Sequence, residues 1–147
     1  MGTRHRGPTE EINALNAFIK LQRAAESVSA RVHAVLPSDL TVTQFGVLES
    51  LYHIGPLCQS ELAEKLLKSG GNLTLVVDNL EKAGYVQRER DPADRRFVVV
   101  KLTPKGQTFI TALFPKVVAN VTREMANLSS TELFDLGRLC KKIGRQA

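Results

Sequence analysis

Apolar residues along this chain recur at two spacings, and the change from one to the other marks out the elements. Ile12, Leu15, Phe18, Ile19, Ala25, Val28, Val32 and Val35 return at helical intervals, which predicts a long first helix ending near Leu36. Thr9, just behind Pro8, is placed to cap it, and Pro37-Ser38-Asp39 stops it. Thr41-Val42-Thr43-Gln44 has the form of a capping box for a second helix, Gln44 to His53, with Phe45, Val47, Leu48 and Leu51 apolar. Ile54-Gly55-Pro56 ends that helix. A third covers about Gln59 to Leu67 with Leu62, Ala63, Leu66 and Leu67 inward, and Lys68-Ser69-Gly70-Gly71 is the turn before a fourth. In the fourth, Asn72 to Ala83, residues Leu73, Val76, Val77 and Leu80 make one stripe to bury.

Past Gly84, which stands where a left-handed residue closes a helix, the period falls to two. Tyr85 to Glu89 and Phe97 to Leu102 are predicted strands around a turn at Asp91-Pro92-Ala93-Asp94, with Val98 and Val100 able to face a core. Thr103 then caps and Pro104 opens a fifth helix through Ile110, Leu113, Val117, Val121 and Met125 to about Leu128, with a kink expected at Pro115. Ser129-Ser130-Thr131-Glu132 is another capping box, and Leu133, Leu136, Cys140 and Ile143 form the seam of a last helix. The outcome is a mainly α fold with a small β-hairpin, its third and fourth helices forming a helix-turn-helix pair. The long end helices carry seams that one copy buries poorly, so a twofold homodimer is expected.

At 147 residues the chain fits one compact domain, or a small domain with arms, and 43% hydrophobic with 24% charged residues is an ordinary globular balance. No apolar stretch approaches the ~20 residues a bilayer span requires, and no apolar run follows the basic residues of MGTRHRGPTEE, so no membrane association and a cytoplasmic location are expected. Cys58 and Cys140 lie far apart and share no ligand spacing with the histidines, so neither a disulfide nor a metal site is signalled, and reduced thiols are expected. No Ser/His/Asp set, paired carboxylates or phosphate loop is present at a usable spacing; the expectation is no enzyme and no cofactor.

A net charge of +5 favours a polyanionic partner only weakly, but its placement says more. Between Glu81 and Lys105 stand seven cations against four anions, so +3 of the excess falls on the segment from the fourth helix to the end of the hairpin. A helix of this size fits the major groove of duplex DNA, and the face opposite its buried stripe carries Thr74, Leu75, Asp78, Asn79 and Lys82. Leu75 has no core to join there and suits a thymine methyl. Arg95 and Arg96 at the hairpin tip could be a solvated turn, yet a hairpin beside such a helix reaches the adjacent minor groove, where negative potential is concentrated. Asp94 is placed to pair with Arg96 and aim it. Cys58 holds the N-cap of the third helix in a Cys-x-x-Glu arrangement with Glu61; it is either a tolerated poor cap or a reactive thiol. Cys140, on an apolar seam, reads as packing.

Taken in order, the hairpin run Arg90-Asp91-Pro92-Ala93-Asp94-Arg95-Arg96, the Val100-x-Leu102-Thr103-x-x-Gly106 pattern and the run Gly71-Asn72-Leu73-Thr74 with Asp78, Leu80 and Gly84 resemble the MarR family of bacterial winged helix-turn-helix regulators. The likeness covers nearly the whole chain, read as a single domain over 1–147 with dimerisation helices at 1–36 and 104–147 around a winged region at 41–103. It implies a dimeric repressor of a stress, efflux or detoxification operon. Such a repressor binds a palindromic operator and is released by a small ligand or by thiol oxidation. Asn72 joins the reading helix, Arg90 the wing, and Ser60 and Lys68 lie where phosphate contacts are expected. Many family members carry Arg where this chain has Leu75, so the bases read are expected to differ. Gln44-Phe45-Gly46-Val47-Leu48-Glu49 and Leu67-Lys68-Ser69-Gly70-Gly71-Asn72 are most similar to the branch responding to quinones and phenolics, and Phe18, His33, Phe45, Tyr52, His53 and Phe114 are candidates for lining an effector pocket. Two alternatives stand beside this reading: redox sensing through Cys58, and an architectural or protein-binding winged-helix module.

Overall fold

A computed structural model describes residues 2–144; Met1 and residues 145–147, the end of the C-terminal arm assigned from sequence, lie outside it. The elements in order are α1 (Thr9–Val32), a 3-10 turn (His33–Val35), α2 (Val42–Ile54), β1 (Leu57–Cys58), α3 (Gln59–Lys65), α4 (Gly70–Lys82), β2 (Val86–Arg90), β3 (Val98–Leu102), α5 (Pro104–Met125) and α6 (Ser130–Gly144). They fall into two compact units, one of residues 35–117 and one of the two ends, to 34 and from 118.

The unit 35–117 holds the core. Of the sixteen apolar side chains buried among the described residues fifteen belong to it, including Val47, Leu48, Leu62, Leu73, Val77, Val100 and Ile110 at 0% exposure. Thr41 and Gln44 form the expected capping box, the Thr41 hydroxyl accepting the Gln44 N–H at 3.1 Å and Gln44 Oε1 accepting the Thr41 N–H at 2.8 Å. The sheet is antiparallel in the order β1-β3-β2, with Arg88 opposite Val100 and Arg90 opposite Val98. Its third strand, β1, was not expected: Leu57 and Cys58 pair with Val100 and Val99, and two residues are too few to show any alternation. At the hairpin base the Thr103 hydroxyl accepts the Gly106 N–H at 3.0 Å, capping α5 as anticipated. A Cβ on Gly106 would stand 1.9 Å from the Tyr85 carbonyl oxygen, so only glycine lets α5 start this close to the strand.

Three expectations need correction here. Thr9 does not cap α1 but is its first helical residue, with Pro8 at the N-cap and no side-chain bond; Glu10 and Glu11 in the first turn offset the exposed N–H groups instead. The third helix stops at Lys65, and Leu67, expected inward, is 82% exposed because the backbone turns left-handed there, with φ 53°. Phe97 stays outside β3 and is half exposed, its N–H spent on the Asp94 carbonyl in the turn.

The other unit consists of α1, the end of α5 and α6. Arg31 pairs with Glu124 at 2.6 Å and Asn120 donates to the Val32 carbonyl at 3.1 Å, joining α1 to α5. Ser129 and Glu132 cap α6 reciprocally, at 2.8 and 3.2 Å. Val32 is its one buried apolar side chain among the described residues. α5 runs on through Pro115, where the ring removes a ladder bond, and the division between the units falls at Val117, two residues later.

Candidate nucleic-acid interface

Ser69 starts α4, its hydroxyl accepting the Asn72 N–H at 3.2 Å. Leu73, Val77 and Leu80 fix the rotation of the helix by burying one stripe, with Val76 half-buried beside them. Asn72, Thr74, Leu75, Asn79 and Lys82 are left exposed, and Leu75 is 61% exposed at the middle of this polar face. An exposed apolar side chain there gains nothing until another surface covers it.

Asp78 is less free than the others. Its carboxylate receives Arg88 Nη2 at 2.7 Å. The same guanidinium donates to Glu81 at 3.1 Å, to Gln59 Oε1 at 2.9 Å and to the Thr74 carbonyl at 3.3 Å, and the Arg88 N–H donates to Glu81 at 2.9 Å. Gln59 in turn donates to the Thr74 hydroxyl at 3.0 Å, and that hydroxyl donates to the Gly70 carbonyl at 2.9 Å. Arg88 was missed in the sequence, although a signal existed. It shares a strand face with buried Val86, so a cation there calls for acids, and Asp78 and Glu81 are one helical turn apart.

In the wing, Asp91 Oδ1 accepts the Ala93 N–H at 2.8 Å and so closes the turn. Asp94 does pair with Arg96, which presents Nε and Nη2 to its carboxylate at 2.9 and 2.6 Å and also donates its N–H at 3.1 Å. The Arg96 fork, with its N–H, holds the Asp94 carboxyl below the ordinary carboxylate range, and the carboxylate raises Arg96 further. The Arg96 side chain is 84% exposed. Arg95 is exposed too, while Arg90 spends one donor on the Arg95 carbonyl at 3.1 Å.

Ser60 and Lys68 are exposed; the Ser60 hydroxyl lies 3.0 Å from the Cys58 thiol. Cys58 takes the N-cap of α3, its N–H donating to Glu61 at 2.8 Å, and this bond is the main reason the Glu61 carboxyl sits below its usual range. Cys58, Ser60, Thr74, Asp78, Arg88 and Arg96 share the lining of an open cleft of about 580 Å³. Cys140, expected to pack, is exposed, since its seam has nothing to lie on within one chain.

Of the six pocket candidates, three meet: the His53 ring is 4.9 Å from Tyr52 and 4.6 Å from Phe114, with Tyr52 and Phe114 6.0 Å apart. Phe45 is 4% exposed and belongs to the core of its unit. Phe18, 59% exposed, and His33, with Nδ1 2.8 Å from the Ser29 carbonyl, lie in the other unit. Among the described residues no group of three or more His, Cys, Asp or Glu is arranged to hold a metal, and no helix is long and apolar enough to cross a membrane.

A helical trio with one face turned outward, tied to a cation-tipped hairpin, defines a winged helix-turn-helix domain. A sequence profile described as the MarR family matches residues 40–98. The HTH-type transcriptional regulator YkoM of Bacillus subtilis, itself uncharacterized, is 37% identical over 139 residues, covering 92% of this chain and 89% of YkoM. The HTH-type transcriptional regulator MhqR of the same organism is 32% identical over 135 residues, covering 91% and 93%. In structure, a mutant MarR from E. coli complexed with operator DNA aligns with a TM-score of 0.71 at 31% identity, over 87% of this chain and 96% of that one. This chain belongs to the MarR family of DNA-binding transcriptional regulators.

Proposed function

We propose that the protein is a homodimeric repressor of a stress, efflux or detoxification operon that reads a palindromic operator. One copy of α4 enters each of two major grooves about 34 Å apart, and the wings hold the flanking minor grooves. Asn72, Thr74, Leu75, Asn79 and Lys82 face the bases, with Asp78 on the same helix face but held by Arg88, while Arg95 and Arg96 face the minor groove and Ser60, Lys68 and Arg90 the backbone. The observation that carries this reading is the exposed face of α4, with Leu75 61% exposed on it, whose Thr74 and Asp78 share an open cleft with a wing arginine, Arg96, aimed by its own aspartate. Selection of bound duplexes from a random pool tests it: a discrete palindrome is expected, whereas uniform coverage would favour an architectural role. Arg96→Ala is expected to weaken operator binding and lower the slope of log affinity against log salt by about 1. An unchanged slope removes the wing from the mechanism.

Release by a phenolic or quinone-like effector is supported by the Tyr52, His53 and Phe114 rings, which offer an aromatic surface with one imidazole edge. Repeating the selection with such compounds present checks this, and DNA binding indifferent to all of them rejects it. For the redox alternative, the supporting observation is that Cys58 lines the cleft beside Thr74 and Arg88. Full oxidant sensitivity in a Cys58→Ser variant would end that alternative.

A further inference from the structure

The most heavily bonded side chain of the winged unit is one with no role in DNA contact assigned above. Arg88 is anchored in β2, yet its guanidinium reaches Gln59 at the start of α3 and Thr74, Asp78 and Glu81 along α4, at 2.9, 3.3, 2.7 and 3.1 Å. Its side chain is only 20% exposed. Four fork hydrogens are committed to protein acceptors, which leaves little for a phosphate. The geometry points to a strut: we propose that Arg88 positions the reading helix against the wing and so governs base discrimination without touching DNA. This rests on the DNA-reading function proposed above.

The choice of residues supports a positioning role over one of stability alone. A caged ion pair adds little net stability compared with apolar packing of the same shape, because both charges lose water. What a planar fork supplies is direction, since it bonds well in only one orientation of its carboxylates. Two of its acceptors, Asp78 and the Thr74 carbonyl, belong to residues of the reading face, and a third partner, Gln59, holds the Thr74 hydroxyl. The same strand leads into the hairpin that carries Arg96. The buried stripe sets the rotation of α4, and loosening the strut frees only its small residual movement against the wing; a base contact displaced by a fraction of an ångström is lost while phosphate contacts adapt.

The test uses the full chain and three variants: Arg88→Lys, which keeps the charge and loses the fork, Asp78→Asn, and the two combined. Affinities for the selected operator and for a random-sequence duplex are measured at one salt concentration, with the active fraction fixed by titration. Arg88→Lys is expected to lower the operator-to-random ratio about tenfold, the scale of one mismatched base pair, with random-duplex affinity held within about twofold. The double variant should fall no further than Arg88→Lys alone, because both changes break the same link. Equal loss of both affinities would make Arg88 a phosphate contact, and additive effects would make Asp78 an independent base reader; either overturns the strut. If the lysine variant does not fold, Asp78→Asn alone must lower the ratio with random-duplex affinity unchanged, and an unaltered ratio then overturns the proposal. A wild-type protein that selects no sequence overturns the DNA-reading function itself, and the strut with it.

Discussion

Asp94 and Arg96 show how two residues at a hairpin tip prepare a contact before any partner arrives. The carboxylate takes three donors from one residue, Nε, Nη2 and the backbone N–H, so the arginine leaves the turn in a fixed direction. Arg96 is well hydrated and Asp94 partly so, and a pair this open to solvent contributes orientation more than stability. The Asp94 carboxyl is held below its ordinary value, so the pair is fully formed above the unfolded aspartate value of about 3.9 and is lost as pH falls through the lower folded value. An NMR titration following the Arg96 Nε–H resonance is expected to show no movement from pH 7 to 5 and a midpoint below about 3.9. A midpoint at or above that value would mean that the tip is unpaired in solution and that Arg96 must be ordered by DNA.

Element ends decide where α4 begins and ends, and two of them use the same device with opposite residues. At the end of α4, Gly84 takes φ 82°, which glycine adopts freely. At the end of α3 the same left-handed step falls to Leu67 at φ 53°, while the Lys68 N–H reaches back to the Ala63 carbonyl at 2.9 Å. A leucine in that conformation costs about 1 kcal/mol and, at 82% exposure, recovers nothing by burial. Leu67→Gly is accordingly expected to raise the melting temperature by a few degrees in calorimetry, the shift that ~1 kcal/mol gives in a domain of this size. No rise would show that the turn is unstrained or that the added chain entropy cancels the relief. The same pair of turns shows what was legible in the sequence. Gly84 and the capping boxes at Thr41 and Ser129 announced their helix ends, and the stripe of Leu73, Val77 and Leu80 predicted which face of α4 is buried and which stays exposed. The end of α3 was misread because its stop uses a leucine that also fits the apolar stripe. β1 left no trace, since a two-residue strand is set by its partner, Val99–Val100, rather than by its own pattern. For the Arg88 cage, alternation with Val86 and the one-turn spacing of Asp78 and Glu81 signalled a cation in need of acids, but which partners it takes, 7 to 29 residues away, depends on how β2 packs against α3 and α4.

At the scale of the molecule the two units differ in how much of their apolar surface they bury. Among the described residues, ten of the fifteen large apolar side chains left exposed belong to the terminal unit, including Leu15, Phe18, Val121, Leu136, Leu139 and Ile143. Helices with so little buried between them do not hold their own structure in water, so a second copy is the occupant that the dimer proposal requires. Repeats of Leu133, Leu136, Cys140 and Ile143 along α6 give a seam that is continuous over about three turns, and a charge in its middle has no route to water once paired. Leu136→Asp is therefore expected to shift the protein, in sedimentation velocity at micromolar concentration, from about twice 16.2 kDa to the mass of one chain. The winged unit keeps its own core in this variant, so a single half-site should still be bound weakly. The two-half-site operator should lose at least about 100-fold in affinity, because the second contact ceases to be intramolecular. A variant that stays dimeric and binds the full operator unchanged would place the twofold contact away from α6 and leave its exposed seam for another partner.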